Sequence, residues 1–248
     1  EAKLAERIET GDDTSFDPAT ASLRRRTTRR LGAVTLSESR RAVPPTEEAA
    51  RLLADGIVRL GIDRLPWTQT LRQWRERILF LRRADEEWPN LSDDALATAS
   101  DWLAPALLGK TTLAEFSAQE LADALHGMLP WHLRRRLDLE APTHFDAPSG
   151  SRLPIDYSDP AAPKLSVRVQ ELFGLDRHPA LADGKVALTL ELLSPAHRPV
   201  QVTRDLPAFW RGSYAAVRAE MRGRYPKHPW PDDPLSAPPT RRAKPRGA

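Results

Sequence analysis

The sequence predicts an α+β chain in four parts: a β-ribbon over residues 1–42, a helical module over 43–141, a mixed α+β module over 142–225, and a proline-rich basic tail over 226–248, extended or disordered. Three observations predict it. Residues up to 42 pair a turn signal with β-type runs, residues 43–141 carry helix start and stop signals, and residues beyond Pro142 alternate apolar with polar positions.

In the ribbon, Asp17-Pro18-Ala19-Thr20 has the residues of a type I turn, Asp first and Pro second, joining Ile8–Phe16 to Ala21–Arg30. A further strand follows at Leu31–Ser37. Strand side chains alternate faces, so Arg25 and Arg29 fall on one side and Arg24, Arg26 and Arg30 on the other. A ribbon polar on both faces is not a central core strand. It is an exposed arm or a barrel edge.

Helix signals begin at Thr46, which with Glu47 and Glu48 opens a helix carrying Leu52, Leu53, Ile57 and Leu60 before Gly61 closes it. Leu71, Trp74, Ile78 and Leu81 make a second apolar stripe. Ser92 with Asp93 and Asp94 opens a third helix, and Ser117 with Glu120 forms a capping box ahead of Leu121, Ala124, Leu125 and Met128. The tryptophans here, Trp67, Trp74, Trp88, Trp102 and Trp131, read mostly as packing residues, because apolar stripes run through the same segments. In the mixed module, a hairpin over Phe145–Tyr157 turns at Pro148-Ser149-Gly150 with Leu153, Ile155 and Tyr157 on one face. Val186, Leu188, Leu190 and Leu192 form an alternating strand, Val200 and Val202 suggest another, and a helix follows near Phe209–Arg224, beginning either before Gly212 or at a Ser213 cap that leaves Arg211 on the preceding loop.

The 248 residues are 40% apolar and 29% charged, and the chain holds 23 prolines and no cysteine. Disulfides, thiolate metal sites and a cysteine nucleophile are thereby excluded. No stretch reaches the 18 or so apolar residues a membrane helix needs, and the first residues lack the pattern of a signal peptide, so a cytoplasmic location without membrane contact is expected. The sequence starts without Met and in mid-element, which suggests a piece of a longer chain.

The net charge is only +3, but the basic residues cluster. They gather at Leu23–Arg41, Arg72–Arg83, Arg204–Lys227 and in the tail at Arg241, Arg242, Lys244 and Arg246. An acidic block, Asp85, Glu86, Glu87, Asp93, Asp94 and Asp101, stands ready to answer the arginines just before it.

Ala104-Pro105-Ala106-Leu107-Leu108-Gly109-Lys110-Thr111 fits a relaxed phosphate-loop pattern. The chemistry requires a strand before the loop, inward-pointing amides and a helix after it. Here a helix precedes, Pro105 removes an amide, and Leu107 with Leu108 are core-type side chains, so a connection between helices is expected. His144 with Asp146, and His126 with His132, have no standard ligand or catalytic spacing.

The most informative stretch runs from Val202 to Trp230. On a helix, Trp210, Tyr214, Val217 and Met221 fall within about 60° of one another as a docking stripe, with Arg218 and Arg222 together to one side. Arg204, Arg211, Arg218, Arg222, Arg224 and Lys227 are candidate phosphate contacts and Trp230 a candidate stacking partner, because guanidinium forks pair with phosphates and aromatic faces receive bases. Arg24, Arg25, Arg26, Arg29 and Arg30 are a weaker candidate surface. The competing reading is that the arginines brace carboxylates elsewhere while the aromatics fill a core.

Gln170-Glu-Leu-Phe-Gly174, Leu193-Ser-Pro-Ala196, Arg198-Pro-Val-Gln-Val-Thr-Arg-Asp205, Phe209-Trp-Arg-Gly-Ser-Tyr214 and Met221-Arg-Gly-Arg-Tyr-Pro-Lys-His-Pro-Trp-Pro231 resemble the carboxy-terminal region of HrpB-type bacterial DExH-box helicases. Arg30-Leu-Gly-Ala33, Leu65-Pro-Trp67, Trp102-Leu-Ala-Pro105 and Pro148-Ser-Gly150 extend the resemblance almost end to end. It implies an ATP-dependent helicase whose RecA-like core, with its ATP and Mg, precedes this segment. The resemblance makes the ribbon the last strands of an oligonucleotide-binding (OB)-like barrel, and it transfers neither a catalytic residue nor a metal ligand. The implied partners are the helicase core of the same polypeptide and single-stranded RNA or DNA. The alternative is a protein–protein brace that binds no nucleic acid itself.

Overall fold

Asp17 closes the first hairpin, accepting from the Ala19 N–H at 3.1 Å and the Thr20 hydroxyl at 2.8 Å. From that turn β1 (Ile8–Asp17) runs antiparallel to β2 (Ser22–Leu31), which pairs in turn with β3 (Val34–Arg41). The computed structural model describes residues 8–242; the tail cations Lys244 and Arg246 lie outside them. Two units divide the chain: residues 1–72 with 90–130, and residues 73–89 with 131–248.

In the first unit, the hairpin base is fixed by Leu23 N–H donating to Thr111 O at 2.7 Å and Leu113 N–H donating to Ala21 O at 2.9 Å. Every residue of β3 is exposed, and β1 is exposed over most of its length. The expected ribbon forms, as a three-stranded antiparallel meander among the described residues.

Helix α1 (Glu47–Leu60) starts at Thr46, whose hydroxyl accepts from Ala49 N–H, and stops at Gly61, where φ is 108°. Its inward face buries Leu53, Ala54 and Ile57 completely. The helix meets β1 at Gly56, where an added methyl group would collide with the Phe16 ring. Helix α2 (Gln69–Arg82) follows, then α3 (Asp93–Thr98), capped by Ser92, and α4 (Ala118–Gly127), opened by the reciprocal Ser117–Glu120 box.

The second unit takes the larger part of α2 together with α5 (Trp131–Glu140). Arg77, only 4% exposed, ties the two helices by donating to Ala141 O at 2.5 Å, Leu137 O at 3.1 Å and the Asp138 carboxylate at 2.7 Å. Asp85 and Glu87 pair with Arg136 of α5, at 3.4 Å and 2.6 Å, rather than with the arginines that precede them. Local charge order in the sequence is overridden by the helix that packs beside it.

Next comes the hairpin β4 (His144–Asp146) and β5 (Arg152–Pro154), turned through Gly150 at φ 78°. The expected inward residues Ile155 and Tyr157 are buried. Strand β6 (Lys164–Arg168) pairs in parallel with β9 (Thr189–Leu193), and β9 pairs antiparallel with β10 (Pro199–Thr203). Between them β7 (Ala180–Leu181) and β8 (Val186–Ala187) form a small ladder, so the alternating run that begins at Val186 is divided at Leu188.

Of the two starts left open for the last helix, Ser213 is the one found: α7 (Tyr214–Arg224) follows it, and Arg211 ends a separate short helix, α6 (Leu206–Arg211), capped by the Asp205 carboxylate, rather than lying on a loop. Gly212 and Ser213 separate the two. Beyond Pro226 the chain is irregular yet attached, with Gly174 N–H donating to Pro234 O and Thr240 N–H to Gln170 O, each at 3.0 Å. The Tyr214 hydroxyl donates to Pro231 O at 2.9 Å. Through Arg242 this segment is a strap held by backbone hydrogen bonds, so of the two expectations, extended or disordered, the described residues fit the first. Among the described residues, no helix is long and apolar enough to cross a membrane.

Candidate nucleic-acid interface

The second unit builds its cationic strip on an aromatic cluster. Trp210 packs on Phe209, Tyr214 and Phe173 with ring centroids 4.9, 5.3 and 6.1 Å away, and its indole N–H donates to Leu175 O at 2.9 Å. Burial pushes the Tyr214 phenol up to about 12. The stripe Trp210, Tyr214, Met221 therefore points inward even though the helix is broken, because both helix pieces turn their apolar sides to the same core.

The cations on the other side divide into two sets. Arg211 ends α6, Arg222 lies on α7 and Lys227 opens the strap; all three are exposed and make no ion pair among the described residues. Arg204 is exposed and donates to Ala187 O at 3.3 Å, while Arg224 pairs at 3.0 Å with Glu220 across solvent-exposed positions. An exposed pair of that kind is worth at most about 1 kcal/mol, so it leaves Arg224 free to exchange its partner for a phosphate.

Two of the sequence candidates have inward roles. Arg218 pairs with Asp232 and so pins the strap to α7. Trp230 is 8% exposed and donates its indole N–H to Tyr225 O at 3.1 Å, so its ring face belongs to the core and is not presented for stacking. Both follow from the strap folding back, which the proline-rich composition did not announce.

On the ribbon, Arg24 pairs with Asp17, Arg25 with Asp12 at 2.6 Å and Arg26 with Glu38 at 3.1 Å. The Thr27 hydroxyl and then Arg25 hold the Asp12 carboxyl below its usual range. Arg29 and Arg30 make no ion pair among the described residues. The register places Arg41 opposite Arg25 and Arg40 opposite Arg26, and like charges directly opposite each other destabilise a free sheet. Arg40 and Arg41 thus extend a set that sequence reading confined to residues 24–30.

The Gly109-Lys110-Thr111 segment does not form a phosphate cradle. A short 3-10 turn, Ala104–Leu107, precedes it, and the Lys110 ammonium is held by the Glu120 carboxylate at 2.8 Å and Glu115 O at 3.0 Å. The groups an ATP phosphate would need are already committed, so these residues do not fit a nucleotide. Among the described residues no cluster of His, Asp and Glu could hold a metal ion, and His132 instead meets Glu87 at 3.0 Å.

Comparison with known proteins places this architecture. The family of ATP-dependent helicase C-terminal regions, HrpB type, matches residues 102–234, which include the whole strip and the first half of the strap. The chain belongs to this family. It is 40% identical over 240 residues to the ATP-dependent RNA helicase HrpB of Escherichia coli K12, covering 96% of this chain and 30% of that protein. The crystal structure of the E. coli DExH-box NTPase HrpB superposes with a TM-score of 0.77 at 39% identity over 98% of this chain and 30% of that one. A second structure, of the E. coli DEAH/RHA helicase HrpB, gives 0.66 at 37% identity over 90% and 29%. The chain thus spans under a third of these HrpB relatives.

Within the HrpB frame, Lys110 and Glu120 have a structural role that pH reveals. The Lys110 ammonium first, then the Ser117 N–H and hydroxyl, hold the Glu120 carboxyl down from 4.5 to about 2. A depressed folded value means the stabilisation is complete above pH 4.5 and is lost as pH falls toward 2. Glu120→Gln is expected to destabilise the first unit at pH 7. The difference from wild type should shrink through that acid window in urea unfolding curves, and a difference independent of pH would refute the assignment.

Proposed function

We propose that this chain is the non-catalytic C-terminal accessory region of an ATP-dependent DExH-box helicase. In this reading it docks on the helicase core of the same polypeptide, where ATP and Mg act, and contributes contacts to single-stranded RNA or DNA in the cytoplasm. Arg204, Arg211, Arg222, Arg224 and Lys227 contact phosphates, and the ribbon arginines are a secondary surface. One observation carries the reading: Arg211, Arg222 and Lys227 stand exposed and, among the described residues, without an ion pair on a scaffold fixed by buried aromatic rings. The scaffold fixes where these side chains leave the backbone, so only the side chains themselves are left to order when a phosphate arrives.

The test is fluorescence anisotropy of labelled single-stranded RNA with the full-length protein carrying Arg211→Ala, Arg222→Ala and Lys227→Ala together. Each lost contact to a single strand removes about 0.7 from the slope of log affinity against log salt, so the slope should fall by about 2. An unchanged slope in a folded protein would sink the proposal. It would favour a protein–protein brace, which the exposed Val34 (62%) and Leu36 (48%) on edge strand β3 suit.

A further inference from the structure

Helix α5 turns Leu133 and Leu137 into the core and sets Trp131, Arg135 and Leu139 along its outer side, spaced four apart. Trp131 is 82% exposed, whereas Trp88, Trp210 and Trp230 are all below 9%, and Trp67 and Trp102 are partly buried with their indole N–H groups bonded to Ile62 O and Leu96 O. Among the described residues the Trp131 side chain makes no hydrogen bond and no ring contact. It is the exception to the expectation that the tryptophans of residues 43–141 fill cores.

Its neighbour sets the chemistry. Positions four apart on a helix lie about 5–6 Å from each other at Cβ, so the Arg135 and Trp131 side chains leave the helix as neighbours on one exposed side. Arg135 is exposed and has no carboxylate partner among the described residues. The acids of the same helix are taken: Asp138 by Arg77, and Glu140 by Arg136 at 2.8 Å. An aromatic face next to an uncompensated guanidinium is complementary to a base and its phosphate. A protein partner is less well matched, because Leu139 lies about 12 Å from Trp131 along the axis with Arg135 between them, so the two do not form one contiguous apolar patch.

We infer that Trp131 and Arg135 form a separate contact for single-stranded nucleic acid, in which the indole stacks on a base and the guanidinium neutralises an adjoining phosphate. This rests on the nucleic-acid reading above but uses different residues. Stacking is sequence-tolerant, so the ligand class is any unpaired strand.

The experiment titrates the full-length protein into labelled oligo(U) and oligo(dT) at several salt concentrations and follows tryptophan fluorescence in parallel. Trp131→Ala is expected to weaken binding about tenfold, remove most of the fluorescence quenching and leave the salt slope unchanged, since stacking releases no counterion. Trp131→Phe should restore most of the affinity. Arg135→Ala should lower the slope by about 0.7. Wild-type affinity and quenching in Trp131→Ala overturn the inference, and a change in self-association or stability alone assigns the residue to a protein contact instead. If the triple variant of the strip loses slope while Trp131→Ala does not lose affinity, the strip reading survives and this one fails. The reverse pattern retains this contact and removes the strip, and no effect in either removes both.

Discussion

Arg77→Ala is expected to destabilise the second unit by about 3–5 kcal/mol. The Arg77 side chain is 5% exposed and its guanidinium donates to the carbonyls of Leu137 and Ala141 at the end of α5, and the Ala141 backbone lies in a fully buried residue. A helix C-terminus presents carbonyls without intrahelical donors, and a cation there also meets the favourable end of the helix dipole. Removing the side chain leaves the Ala141 carbonyl without its donor, at about 1–3 kcal/mol. It also withdraws buried methylenes at roughly 0.8 kcal/mol each. Asp138, being 77% exposed, rehydrates and adds little to the loss. Arg77→Met separates the two contributions by keeping the volume and removing the donors. Urea unfolding would show Met between alanine and wild type; a Met variant as stable as wild type would mean the hydrogen bonds contribute nothing net.

The parts of this fold that were legible in the sequence are those whose physics acts within a few residues. Thr46, Ser92 and the Ser117–Glu120 box each satisfy amides within three positions, and Asp17 folds its own turn, so all four show in the letters. The alternation of Leu188, Leu190 and Leu192 announced a buried strand for the same reason. What pairs with it was not legible, because the parallel partner Lys164–Arg168 lies more than twenty residues upstream and is itself mixed in character. The strip shows both limits. Its aromatic stripe was legible as one apolar side, and of the readings offered for it the core-filling one holds, since Trp210 and Tyr214 keep the same inward side across the Gly212 break. The partners of Arg218 and Trp230 depended on the strap returning, and a run of prolines fixes local φ without saying where the chain goes. Trp131 was hidden for the opposite reason: its helix is amphipathic, but only the packing of Leu133 and Leu137 decides which side faces out.

Trp210→Ala is expected to cost the second unit about 3–5 kcal/mol, in the range for emptying a buried tryptophan site. Two consequences distinguish it from ordinary cavity formation. The Leu175 carbonyl loses its indole donor, and Phe173, Phe209 and Tyr214 lose the ring that each of them contacts. Trp210→Phe keeps most of the apolar volume but not the donor, so about 1–2 kcal/mol is expected there. Because Tyr214 also donates to Pro231 O, loosening the cluster should loosen the strap, and the Arg218–Asp232 pair with it. Amide hydrogen exchange would detect this as faster exchange at Gly174, whose N–H donates to Pro234 O, and at Thr240, whose N–H donates to Gln170 O. Loss of stability with unchanged protection at Gly174 and Thr240 would show that the strap is anchored independently of the aromatic cluster. Coupled loss would mean that Arg222 on α7 and Lys227 on the strap keep their places by way of Trp210, so that one buried ring sets the spacing of the outward cations.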